Sequence, residues 1–266
     1  MSEVKLPFLL EIGVEEIPHW MILPALGELE RLFQEAMAQN QLETGALKLD
    51  GTPRRLVLRA EALQARQADR EELVMGPPKA AGEGAAQGFA RKNNCAVEDL
   101  LTETTPKGDY FALRRKIEGR AAGEILAGVL PGLIAKIPWP KAMYWTGKSD
   151  VRFIRPIRWI AALLGDSVVE FEIAGVRSAG NSRGHRRLGA DEIVIDHASY
   201  EERLEKNGVI LSAGKRRKRI EDGIKKLLRG KGLNLIPDAA LLEDLVYLTE
   251  FPTPILGGFR EEFLAL

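Results

Sequence analysis

FLLEIGVEEIPHWMILPALGELERLF, residues 8–33, opens the chain with two different periods side by side. Phe8–Gly13 is short, apolar and closed by a glycine, which predicts a buried strand. Pro18 then opens a long helix, in which Ile22, Leu26, Leu29 and Phe33 recur at i, i+4, i+7 and i+11 as one apolar stripe. Pro24 falls in the first turns, where a proline is tolerated. Glu15 and Glu16 stand just before the helix and complement its positive end. A catalytic carboxylate pair is the weaker alternative for them.

Working outward, Leu47–Asp50 and Arg55–Leu63 read as two strands around the turn Gly51-Thr52-Pro53, the second covered on both faces. Leu73–Met75 is a short strand ended by Gly76-Pro77-Pro78. KAAGEGAAQG then connects to a short helix, Gln87–Asn93; it lacks the GK[ST] ending of a phosphate loop. Tyr110–Lys116 is a strand after the turn Pro106-Lys107-Gly108. Glu124–Ile137 is an amphipathic helix that Pro131 should break or kink and that Pro138 and Pro140 close. Further on come strands at Ile193–Ile195 and Val209–Leu211, and helices at Tyr200–Asn207, Gly214–Arg229 and Leu241–Leu248. Strands and helices interleave without a regular βα period. The expected fold is therefore α+β, with mixed or antiparallel sheets, packed helices and two lobes.

Zero net charge conceals an asymmetry. Residues 1–140 hold 17 Lys and Arg against 20 Asp and Glu, residues 141–231 hold 20 against 12, and the remainder holds 1 against 6. We therefore expect an N-terminal lobe at 1–140, a basic, strand-rich lobe at 141–232 that meets RNA or a partner, and at 233–266 the helical start of a following domain. The sequence stops on EEFLAL, which suggests the N-terminal piece of a longer protein. One cysteine, Cys95, leaves no internal disulfide and fits a reducing cytoplasm. Three scattered histidines give no metal-ligand spacing, no apolar run is long enough to span a bilayer, and the acidic N-terminus does not suit a signal peptide.

The basic centre, residues 141–187, reads KAMYWTGKSDVRFIRPIRWIAALLGDSVVEFEIAGVRSAGNSRGHRR. Arg152, Arg155 and Arg158 recur every third residue, and Arg183, Arg186 and Arg187 bracket His185. Arginine offers a flat, permanently charged fork for phosphate or carboxylate, so this pattern looks for an anion, RNA foremost. Lys141, Arg54 and Arg55 join the candidate contacts. Trp145 reads either as core or as a platform for an unpaired base; Trp159, inside WIAALL, reads as core. The RGHRR loop is held by arginine–carboxylate pairs or meets RNA, and both readings stay open. His185 has no neighbouring nucleophile or carboxylate in sequence with which to complete a catalytic set. Lys215–Lys218 at a helix start opposes the helix dipole, which costs stability unless something negative binds there; a plain solvated face is the alternative.

Eight segments together resemble the beta subunit family of the bacterial tetrameric (α2β2) glycyl-tRNA synthetase. They are LLEIGVEEIP (9–18), TPRRLVL (52–58), GPP (76–78), GFAR (88–91), KAMYW (141–145), RFIRPIRWIAALLG (152–165), RGHRRLG (183–189) and LLEDLVYLTEFPTPILGGFREEFLAL (241–266). None is specific alone, but they lie in the family's order and cover nearly the whole chain. The resemblance implies that a partner alpha subunit holds the class II active site, with its ATP and Mg, that makes glycyl-adenylate. The beta subunit then binds tRNA(Gly) and is required for charging. It further implies a cytoplasmic heterotetramer, no membrane, no cofactor in this stretch, and HD-like and anticodon-binding domains further along. The family's N-terminal region also resembles tRNA-side modules of the phenylalanyl-tRNA synthetase beta subunit. Three departures stand out: a short KAAGEGAAQ where the family carries an insertion, Tyr144 in place of an arginine, and His19 in place of a proline.

The first functional expectation is thus a non-catalytic tRNA-binding and assembly region, whose glycine–tRNA ligase activity belongs to the holoenzyme. An editing hydrolase for mischarged tRNA is the second, although glycine leaves no smaller competitor to clear. A pure subunit-interaction scaffold is the third.

Overall fold

The structure, a computed structural model, describes residues 4–146, 151–260 and 262–263. The expected element at EEFLAL lies mostly outside them. Six α-helices and twelve strands form in these residues, and the α+β class with mixed and antiparallel sheets holds. The chain gathers into two units: residues 66–121, and the rest. The charge-based boundaries at 140 and 232 coincide with neither edge of that insertion.

In the larger unit, β1 (Lys5–Val14) is the middle of the main sheet, and α1 (His19–Gln39) follows it. β2 (Leu47–Thr52) and β3 (Arg55–Gln64) make a hairpin whose turn is Pro53-Arg54, with Thr52 opposite Arg55. The turn sits later than the sequence suggests because Gly51 and Thr52 stay paired.

The smaller unit holds β4 (Arg70–Pro78), α2 (Glu83–Asn93), β5 (Leu101–Thr105) and β6 (Gly108–Ile117), with sheet order β4-β6-β5, all antiparallel. Gly76 lies so near the Phe89 ring that a Cβ there would come within 2.8 Å, which seats α2 on its sheet. An Arg66–Ala121 bridge closes the base of this insertion.

Back in the larger unit, α3 (Ala122–Ala135) runs unbroken through Pro131. The lost backbone bond is outweighed by burial of Ile125, Leu126, Leu130, Leu133 and Ile134, each contributing about 1.5–3 kcal/mol. β7 (Ile157–Leu164) then pairs antiparallel with β1. After β8 (Ser167–Val168) and β9 (Glu172–Ile173), β10 (Val176–Ala179) adds parallel to β7, so the sheet order is β2-β3-β1-β7-β10-β9 with β8 beside β7. β11 (Asn181–Ser182) and β12 (Ile193–Val194) form a short ribbon. The unit ends with α4 (Tyr200–Lys206), α5 (Ala213–Leu228) and α6 (Ala239–Leu248).

The pleat of β1 divides the core. Phe8, Leu10, Ile12 and Val14 face a large cluster with α1 and α3, where Phe8 and Phe33 stack at 5.3 Å. Leu9 faces the other way, with Val57, Ala161, Leu163, Tyr200 and Leu204. Val209–Leu211 does not form the expected strand. Its side chains are buried, but the Ile210 N–H donates to the Glu250 carbonyl and the carbonyls of Ile210 and Leu211 accept from Arg216, so no neighbouring strand is needed.

Candidate nucleic-acid interface

Strand alternation places Glu11, Gly13, Arg55 and Trp159 on the second face of the main sheet, where Gly13 lies between Arg55 on β3 and Trp159 on β7. A Cβ on Gly13 would overlap the indole, so the missing side chain is the space into which Trp159 fits. Gly13→Ala is expected to lower stability by about 1–3 kcal/mol through overpacking, readable as a shifted denaturant midpoint with an unchanged slope.

Glu11 is fully buried and accepts four hydrogen bonds. Its Oε1 takes Arg55 Nη1 at 2.9 Å, Trp159 Nε1 at 2.8 Å and Ser182 Oγ at 2.8 Å, and its Oε2 takes the Tyr200 hydroxyl at 2.7 Å. Burial, with Glu11 alongside, pushes the Tyr200 phenol well above its ordinary pKa. Arg55 also reaches Glu250 Oε1 (2.9 Å) and the Arg183 carbonyl (2.8 Å), while Thr52 Oγ1 donates to the same Glu250 oxygen at 2.7 Å. Burial works to lower the Arg55 pKa, yet the Glu250 and Glu11 carboxylates outweigh it and hold it above the usual arginine value. Arg55 is therefore corrected from a phosphate contact to a structural cation: it has no exposed surface with which to meet a phosphate.

This buried cluster supports the surface arginines. Arg54 and Arg183 both stand over the Trp159 ring, at 5.6 and 5.4 Å from its centroid. Arg54 is half-buried, its Nε has no acceptor among the described residues, and burial holds its pKa below the ordinary value. Glu15 does not serve the helix end. Its Oε1 accepts from Arg158 Nε at 2.6 Å and its Oε2 stands 4.0 Å from Arg186 Nη1. Burial pushes the Glu15 carboxyl up, but Arg158, Arg186 and Arg54 pull it net below its ordinary value.

The RGHRR loop is held chiefly by its backbone, with the long Arg186–Glu15 pair its one arginine–carboxylate contact among the described residues. Gly184 N–H donates to the Ala190 carbonyl at 2.8 Å and His185 N–H to the Asn207 carbonyl at 2.9 Å, while His185 Nδ1 accepts from the Arg187 N–H at 3.2 Å. Gly184 and Gly189 pass too close to each other to carry side chains. Arg183, Arg186 and Arg187 are left exposed.

Two adjoining clefts share Glu16, Pro53, Arg186 and Leu248. The smaller, about 160 Å³, also has Arg54, His185, Arg187 and Glu250 in its wall; the larger, about 460 Å³, adds Glu15 and Arg155. Five of the candidate residues, far apart in sequence, thus meet around one surface. Lys141, Trp145 and Arg152 line neither cleft. Lys141 is exposed, and Trp145 is half-buried against the main core. The exposed ring nearby is Tyr144, with the Arg152 guanidinium over it at 5.3 Å. Sequence reading missed Glu11, Glu250 and Arg216. An isolated acid inside the apolar strand FLLEIG was the one available signal, since a charge there needs a partner.

Among the described residues no group of three or more His, Cys, Asp or Glu could hold a metal ion, and no helix is long and apolar enough to cross a membrane. The clefts set Arg54, Arg155, Arg186 and Arg187 beside Glu15, Glu16 and Glu250, and the chemistry on offer is that of arginines able to grip phosphate or carboxylate.

Comparison with known proteins places residues 8–266 in the glycyl-tRNA synthetase beta subunit family. The glycine–tRNA ligase beta subunit of Acidobacterium capsulatum is 42% identical over 270 residues, and that of Citrifermentans bemidjiense 39% over 265. Each comparison covers 97% of this chain and 38% of the relative, so the chain spans well under half the length of these relatives.

Proposed function

The chain belongs to the glycyl-tRNA synthetase beta subunit family, and from that membership we propose that it is a tRNA-contacting and assembly region of the synthetase. In this reading it does no bond-making of its own. An alpha subunit carries the class II site, with its ATP and Mg, where glycine is activated and joined to tRNA(Gly), and this region helps hold the tRNA for that transfer. The observation that carries the reading is the gathering of Arg54, Arg155, His185, Arg186 and Arg187 around two adjoining clefts beside a buried, hydrogen-bonded cluster. Phosphate contacts of this kind supply affinity and register rather than sequence readout.

Titration with tRNA(Gly) at about 50 and 200 mM salt tests it. The parent protein should bind with a marked salt slope. The triple variant Arg183→Ala, Arg186→Ala, Arg187→Ala should lose affinity and shed about 2–3 from that slope. Of the three side chains only Arg183 touches the buried cluster, over the Trp159 ring at 5.4 Å, and its carbonyl, which Arg55 holds, is kept in the variant, so the fold is expected to persist. Equal binding by parent and variant refutes the arginine loop as an RNA surface. A parent that binds its partner subunit but no tRNA leaves a docking scaffold as the function.

A further inference from the structure

Resting on the reading of this chain as RNA-contacting, we propose that the outer face of α5 is a second binding surface for the phosphodiester backbone of RNA, made by residues outside the arginine loop. The helix carries seven Lys and Arg against one Glu and one Asp. At 3.6 residues per turn, Lys215, Lys218, Asp222, Lys225, Lys226 and Arg229 fall on one side. Arg216 and Ile220 are buried on the opposite side. The cationic run recurs turn by turn over about 21 Å.

Two of the basic residues are paired with carboxylates: Lys215 Nζ with Glu205 Oε2 at 3.2 Å, and Arg217 with Glu243. Lys218, Lys225, Lys226 and Arg229 are exposed, and among the described residues no carboxylate lies within ion-pair distance of them. Asp222 is the single acid in the face. Like-charge pairs one turn apart, Lys215 with Arg219 and Lys225 with Arg229, work against the opposite-charge spacings Lys218–Asp222, Glu221–Lys225 and Asp222–Lys226. None of these four side chains is buried by the packing of α5.

The wall beside the face is built. Arg219 Nε donates to the Pro252 carbonyl at 2.8 Å, and its guanidinium lies 3.9 Å from the Phe251 ring centroid. Gly223 lies against Pro254, where a Cβ would come within 2.8 Å. A groove of about 600 Å³ between α5 and this proline strap has Arg219, Lys226 and Lys231 in its lining, with Asp222 as the one acid beside them.

The chemistry selects the occupant. Protein interfaces are anchored by aromatic and apolar residues and are depleted in lysine. Within α5 itself no large apolar side chain is exposed; the exposed Leu233, Leu235, Ile236 and Ile255 belong to the segments that follow it and not to the cationic face. A row of solvated lysines without an apolar centre suits a polyanion, and contacts of this kind ignore base identity.

The test compares the native, assembled protein with the variant Lys218→Gln, Lys225→Gln, Lys226→Gln, Arg229→Gln, since glutamine keeps helix propensity. Binding of tRNA(Gly) and of an unrelated tRNA is measured at about 50 and 200 mM salt. The expected result is an affinity lower by about tenfold or more at the lower salt, equal for both RNAs, and a salt slope shallower by about 3. An unchanged slope overturns this inference and leaves the proposed function standing. A parent that binds neither RNA overturns both. A variant that keeps RNA binding but no longer assembles with its partner subunit overturns it in favour of an acidic protein surface.

Discussion

Arg55→Met should destabilise the protein by about 3–5 kcal/mol, the cost of removing one partner from a buried ion cluster. Methionine fills comparable space without polar atoms, so the loss reads electrostatics more than volume. Glu11, with no exposed surface, would keep its three neutral donors but lose its counter-charge, and Glu250, 3% exposed, would keep only Thr52 Oγ1. A second substitution separates this mechanism from simple cavity formation. If two stranded carboxylates cause the loss, Glu250→Gln in the Arg55→Met background should recover part of it, whereas Glu250→Gln alone should destabilise. Denaturant unfolding of the four proteins gives the coupling directly. Additive losses would mean that the cluster acts through packing alone. The functional consequence lies in position: Arg55 holds the Arg183 carbonyl and, beside Arg54 and Arg183, stands over Trp159 at 5.3 Å. The same substitution should therefore loosen the arginine loop, and under the proposed function tRNA affinity should fall together with stability.

The parts of this architecture that repeat locally are legible in the sequence, and the parts that join distant residues are not. The α1 stripe announces itself because Ile22, Leu26, Leu29 and Phe33 recur at helical spacing and all become buried. Ile157–Leu164 has no such period. It is apolar on both faces of the sheet, so its residues mark a core without revealing a strand. Arg54 and Arg55 are adjacent, but Arg54 lies in the hairpin turn and Arg55 opens β3, so one reaches a cleft wall and the other is buried. Composition identifies that pair as a candidate site but not which member is available. Glu11 is the sharpest case, since its partners stand 44, 148, 171 and 189 residues away. No spacing rule reaches that far; only the rule that a buried charge must be paired does. The collinear family motifs carry what the periods cannot. RGHRRLG and TPRRLVL include both the exposed arginines and the glycines and buried arginine that hold them in place.

Arg216→Met should cost at least about 4 kcal/mol, because four buried backbone acceptors lose their donors at about 1–3 kcal/mol each. Arg216 Nε donates to the Val246 carbonyl at 2.6 Å, Nη1 to those of Ile210 (2.8 Å) and Leu211 (2.6 Å), and Nη2 to that of Gly51 (2.7 Å). The guanidinium also stands 5.5 Å from the Tyr247 ring. No carboxylate among the described residues bonds to it directly, and burial brings its pKa down to about 10, which still leaves it charged at neutral pH. Arg55 holds two carboxylates; Arg216 instead ties β2, the irregular 210–211 segment and α6 through their carbonyls. Arg216→Lys should lose nearly as much, since an ammonium has three donors on one centre and cannot span four carbonyls. The two arginines should also fail differently. Without Arg216 the segment that carries the α5 cations loses its attachment to β2, so hydrogen exchange should rise first at the Ile210 amide, which donates to Glu250 at 2.9 Å, and through α6. Protection in β1 and β7 should persist until global unfolding. A loss below about 1 kcal/mol would show that water can replace the guanidinium, and exchange that rises uniformly would show that the segment and the sheet open as one unit.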